Sequence, residues 1–121
     1  MSGSILRDKS KEFAKNIILL CRRLNKSGTE WPLTTQLLRA GTSVGANIHE
    51  AQYAQGTKDF ISKFKIALKE CNECEYWLEL FRDTNTVSEE EFDFFHKECI
   101  SLRRMLVSSI TTTINNTTDK V

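Results

Sequence analysis

Apolar residues recur every three or four positions along almost the whole chain, and only three short breaks interrupt them. That period belongs to the α-helix, where positions i, i+3, i+4 and i+7 share a face; a half-buried strand would alternate every second residue. One proline and five glycines punctuate 121 residues, so little stops long helices from forming. Four are expected, over about 4–26, 32–54, 57–83 and 88–112. The first carries Phe13, Ile17, Leu20 and Leu24 on one stripe and stops at Asn25-Lys26-Ser27-Gly28, a basic last turn followed by a glycine cap. The second opens at Pro32, whose missing N–H would have no partner in a first turn, and repeats Leu37, Ala40, Val44, Ile48 and Ala51 before fading between Tyr53 and Gly56.

Thr57 reads as the N-cap of the third helix, its hydroxyl facing the free N–H of Phe60. The stripe Phe60, Phe64, Ala67, Cys71, Cys74, Leu78 and Phe81 follows. Ser88 and Glu91 then form a capping box, with Glu89 and Glu90 adding negative charge beside the positive end of the helix dipole. Phe92, Phe95, Cys99, Leu102, Leu106 and Ile110 make the fourth stripe, and the Thr/Asn-rich tail from Thr111 is expected to fray. Connections this short set successive helices antiparallel. The expected architecture is all-α, a single antiparallel up-and-down four-helix bundle over residues 1–121.

Hydrophobic residues make up 40% of the chain, which is enough for a core without disulfides or a structural metal and too much for intrinsic disorder. The longest unbroken apolar run, Ile17 to Cys21, is too short for a membrane span or a signal-peptide core. The expectation is a soluble cytoplasmic protein with no membrane partner and with Cys21, Cys71, Cys74 and Cys99 as reduced thiols.

Two features exceed what a minimal bundle uses. Ile17, Ile18, Leu19 and Leu20 cover nearly the whole circumference of the first helix, and Phe94 lies off the seam of Phe92, Phe95 and Cys99. A second apolar surface is therefore expected, and a subunit interface is its usual use. The net charge of +1 also hides a segregation: residues 1–40 hold eight Lys/Arg and three Asp/Glu, whereas residues 41–121 hold nine and thirteen. A basic first helix, with Arg22, Arg23 and Lys26 near its end, could face an acidic neighbour or nucleic-acid phosphate, or remain a solvated charged face.

No constellation points to catalysis. Cys71-x-x-Cys74 lies in mid-helix on the apolar stripe, with Cys99 in core register opposite, so packing is favoured over metal or redox chemistry. His49-Glu50 lacks the second histidine of a zincin helix, because position 53 is Tyr53. Asp93-x-x-His96 is a single motif where a di-iron bundle needs two plus further carboxylates. No phosphate loop or activated nucleophile is present, so no catalytic group, metal, cofactor or small-molecule substrate is assigned.

The second helix is the most informative segment. Arg39, Ser43, Asn47 and Glu50 advance by four, four and three residues and stack on one face, while Gly41 and Gly45 flatten an adjoining one. Two interior glycines cost about 1 kcal/mol each relative to alanine, which argues for a close helix contact there. The polar stripe reads first as a hydrogen-bond network to the third helix, with Glu70, Glu73 or Glu75 as partners for Arg39. The other reading is a binding stripe.

At this segment the chain resembles the four-helix-bundle proteins encoded in intervening sequences of bacterial 23S ribosomal RNA genes. The residues that carry the resemblance are Leu33-Thr34-Thr35-Gln36-Leu37-Leu38-Arg39-Ala40, then Ser43-Val44-Gly45-Ala46-Asn47-Ile48-His49-Glu50-Ala51, and Phe60 to Phe81 with Glu70-Cys71-Asn72-Glu73-Cys74-Glu75-Tyr76-Trp77-Leu78. It implies an up-and-down bundle and a homopentamer, a fold also used by the accessory protein of diversity-generating retroelements, which works with a reverse transcriptase and its RNA. The chain departs from the family pattern at Leu38, where many members have a second arginine, at Gly45, where a proline is common, and at His49-Glu50-Ala51, which replaces Ala-Glu-Gly. Two functions are then expected in order: a non-enzymatic homopentamer that contacts RNA or a ribonucleoprotein through Arg22, Arg23 and Lys26, or a structural, protein-binding adaptor with no nucleic-acid role.

Overall fold

A computed structural model describes residues 2–119, and the side chains of residues 5–117. Four helices run through it: α1 (Ser2–Lys26), α2 (Trp31–Ala51), α3 (Thr57–Asp83) and α4 (Glu89–Asp119). Cross-helix pairs fix their directions. Ser10 lies at Gly45 and Ile17 at Gly41 between α1 and α2. Arg39 meets Glu70 while Glu50 meets Lys63 between α2 and α3. Glu75 meets His96 between α3 and α4, and Arg23 meets Glu91 between α1 and α4. Each pairing is antiparallel, which makes an up-and-down four-helix bundle. Helices adjacent in sequence pack closely, whereas α1 and α4 touch sparsely.

The apolar stripes meet in one core. Phe13, Ile17, Leu37, Val44, Leu78, Phe81, Leu102 and Leu106 are among its fully buried side chains. Phe13 meets Phe95 edge-on across the α1–α4 seam. At the glycines of α2 the helices approach most closely: a Cβ built on Gly41 would stand 2.8 Å from Ile17 Cγ2, and one on Gly45 3.3 Å from Ser10 Oγ.

Helix ends follow from local chemistry. After α1, Gly28 adopts φ 92°, the N–H of Thr29 donates to Leu24 O and that of Gly28 to Asn25 O, a Schellman closure. Asn85 does the same work after α3 at φ 59°, with Thr86 N–H donating to Phe81 O. Before α4 the N–H of Glu91 donates to Ser88 Oγ, one half of the capping box; the Glu91 carboxylate turns to Arg23 instead of closing the other half.

Three expectations are corrected. Thr57 is the first residue of α3 and not its cap: Gly56, at φ 121°, is the N-cap and its carbonyl receives the N–H of Phe60. Helix α2 ends at Ala51 and passes into a turn at once, ahead of Tyr53. The tail does not fray at Thr111; α4 continues to Asp119, and residues 120 and 121 lie outside the described residues. Ile110 stays in the core, and the Thr113 and Thr117 hydroxyls donate to carbonyls four residues back. The hydroxyls are thereby satisfied inside the helix, and the burial of Ile110 helps to carry α4 past the poor intrinsic propensity of threonine.

Candidate functional site

The four residues of the α2 polar stripe divide by partner. Arg39 forks across to α3, with Nη1 3.1 Å from Glu70 Oε2 and Nη2 2.6 Å from Glu73 Oε1. Glu70 is only 7% exposed, so this guanidinium supplies the cation a buried carboxylate needs. Glu50 also reaches α3, 3.6 Å from Lys63 Nζ. Ser43 and Asn47 instead donate to the carbonyls of Arg39 and Ser43 in their own helix. Glu75, the third acid considered for Arg39, faces the other way. It accepts from Arg103 Nη1 at 3.0 Å and pairs with His96 Nε2 at 2.7 Å, tying α3 to α4. Burial raises the Glu75 carboxyl, but the hydrogen bonds from Arg103 and His96 more than offset this and hold it below its usual value.

The basic end of α1 also separates. Arg23 points to α4 and grips both Glu91 oxygens at 2.6 Å. Arg22 and Lys26 stand exposed one turn apart on the opposite, outward face, with Lys11 and Lys15 in the same register further up the helix. Among the described residues Lys11, Arg22 and Lys26 have no acidic partner, and Lys15 meets only Glu12 of its own helix.

All four cysteines are buried free thiols. Burial pushes Cys21 up to about 11 and raises Cys74 further. Cys71 donates to the Cys99 carbonyl at 3.3 Å, and the contact between these two residues lowers Cys71 and, with burial, raises Cys99. Among the described residues no three His, Cys, Asp or Glu side chains cluster as metal ligands. No described helix is long and apolar enough to cross a membrane.

Residues 4–108 match the family described as 23S rRNA-intervening sequence protein. The chain belongs to that family. A crystal structure of a protein of unknown function from the S23 ribosomal protein family of Bacteroides thetaiotaomicron VPI-5482 is similar at 42% identity and a TM-score of 0.89, over 92% of this chain and 99% of that one. No curated protein matches it.

On this intervening-sequence family member two surfaces stand out. The first is a groove of about 1000 Å³ where α1 meets the α3–α4 turn, lined by Leu19, Leu20, Arg23, Glu91, Phe94 and Phe95 among others. Leu19 is 53% and Phe94 52% exposed there, two of the three apolar residues that sequence spacing sets outside the core stripes; the third, Ile18, is half-buried, and Ile17 and Leu20 are buried. The second is the outward face of α2, which sequence reasoning passed over. Its residues are Trp31, Thr35, Leu38, Thr42, Ala46 and His49, with Tyr53 just beyond the helix end. Their spacing by three and four was visible, but a second stripe beside the core stripe carries meaning only once the neighbouring helices are placed.

Proposed function

We propose that this protein is a non-enzymatic, cytoplasmic homo-oligomer that binds structured RNA through the outward face of α1. The observation that carries this reading is the row of Lys11, Lys15, Arg22 and Lys26 on that face, set apart from the acids of α3 and α4. Arg23 is left out of the row because Glu91 holds it. Such a row neutralises phosphates, and the family's association with ribosomal RNA genes makes RNA the polyanion to test.

Retention of RNA should fall steeply with salt, with a log–log slope of about −2 to −4 for three to four phosphate contacts. Arg22→Ala combined with Lys26→Ala should flatten that slope by one to two, which filter binding across a salt series measures. No retention at low ionic strength would refute the reading.

Self-association rests on Leu19 and Phe94, half-exposed together on one groove. Light scattering on a sizing column should give a mass several times 13.9 kDa, with five copies as the expected count. Phe94→Asp should lower it towards the single chain. The same groove favours a second reading, a protein-binding adaptor, because Glu89 and Glu90 add negative charge beside its apolar floor while Arg23 is held by Glu91. That reading predicts no RNA retention and a monomer that binds a basic protein.

A further inference from the structure

The outward face of α2 is an uncharged surface on a chain in which 27% of residues are charged. From Trp31 to His49, about 27 Å of helix, Trp31, Thr35, Leu38, Thr42, Ala46 and His49 carry no Lys, Arg, Asp or Glu. Thr35 and Thr42 donate their hydroxyls to the carbonyls of Trp31 and Leu38, so they do not compete as donors at this surface. Trp31 is 70% and Tyr53 73% exposed, and the Tyr53 ring meets His49 edge-on at 5.6 Å.

This face lies beside the cation row of α1. The contacts of Ser10 with Gly45 and Ile17 with Gly41 set the register of the two helices, which brings Lys26 level with Trp31, Arg22 with Thr35, Lys15 with Thr42 and Lys11 with Ala46. Between the helices runs a cleft of about 470 Å³, floored by Ala14, Gly45 and Ala46, with Lys11 on one wall and His49 on the other; Asp8 is its one acid. Cations in a line beside exposed aromatic rings are the parts of a single-stranded nucleic-acid platform: phosphates follow the charges and bases lie on the rings. A second copy of the chain or a lipid surface would cover apolar area equally well, but neither calls for a parallel ladder of lysine and arginine with aromatic rings at both ends.

We infer that α1 and α2 together form a site for unpaired nucleotides of RNA, with backbone phosphates on Lys11, Lys15, Arg22 and Lys26 and bases stacked on Trp31 at one end and on Tyr53 and His49 at the other. This rests on the RNA reading above and adds which part of an RNA is bound. Duplex RNA offers phosphates but no free base faces, so the platform prefers loops and single strands.

The test uses the full chain and three labelled probes: a short single-stranded RNA, a hairpin with an unpaired loop, and the same stem as a blunt duplex. Fluorescence anisotropy should give tighter binding to the first two. Trp31→Ala and Tyr53→Ala should each weaken them at least about fivefold without changing the salt slope, while Tyr53→Phe, which keeps the ring, should bind as the parent does. In a Trp77→Phe background Trp31 is the sole tryptophan, and its emission should be quenched by the single strand. Trp77 donates nothing that this change would strand, since its Nε1 is buried without an acceptor among the described residues. Equal affinity for all three probes, with aromatic variants unaffected, overturns the inference and leaves RNA binding standing. No binding of any probe at low salt overturns the RNA reading itself. If the aromatic variants alter the mass in light scattering and not RNA affinity, the face is a subunit interface and the inference fails.

Discussion

Gly41 and Gly45 lie one turn apart on the same helix, yet the structure assigns them different constraints. A methyl at 41 would come within 2.8 Å of Ile17 Cγ2 and 3.0 Å of Cγ1, on a fully buried side chain with nowhere to go. At 45 it would meet Ser10 Oγ at 3.3 Å and Ser10 O at 3.4 Å, where a few tenths of an ångström suffice. Overpacking in a tight core costs about 1–3 kcal/mol, and removing a helical glycine returns about 1 kcal/mol. Urea denaturation should therefore find Gly41→Ala destabilised by up to about 2 kcal/mol and Gly45→Ala within about 0.5 kcal/mol of the parent. That small residues stand at 41 and 45 is legible in the sequence as a close approach. Which of them is indispensable depends on whether a rigid isoleucine or a hydroxyl lies opposite, and no local pattern encodes that.

Among the elements, α3 is held on both sides by polar pairs, by Arg39 from α2 and by Arg103 and the His96 hydrogen bond from α4. Glu75 titrates below its ordinary 4.5 in the folded chain, so its contribution is fully present above that value and is lost as pH falls through the lower, folded one. Stability measured against pH should decline on the acid side of about 4.5, and Glu75→Gln should remove part of that decline while costing about 1 kcal/mol at neutral pH. The elements themselves were readable because each has an uninterrupted stripe, as in Phe64, Ala67, Cys71, Cys74 and Leu78, all of which are buried. Their ends were less so. Thr57 has the right side chain for a cap, but Gly56 alone can take φ 121°, and the backbone conformation decided the position. The threonines after Ile110 look like poor helix formers, yet α4 runs on through them, each of Thr113 and Thr117 donating its hydroxyl to a carbonyl of its own helix.

For the whole molecule, charge and apolar area are sorted by face more finely than by sequence third. The basic beginning of the chain divides into an outward row and a lateral arginine that clasps Glu91, a distinction that net charge over residues 1–40 conceals. The α2 face was illegible for a related reason: an uncharged stripe reads as core unless the positions of α1 and α3 show that it faces outward. The sparse α1–α4 seam has a consequence for how the chain reaches this structure. Nearly all of its packing joins helices that follow one another, so each hairpin can form over a short loop and the one pairing between distant segments adds little. Arg23→Ala and Glu91→Ala should then raise the unfolding rate and leave the refolding rate nearly unchanged in stopped-flow kinetics, because the clasp they break closes after the barrier. In time as in space, the first and last helices are the last to meet.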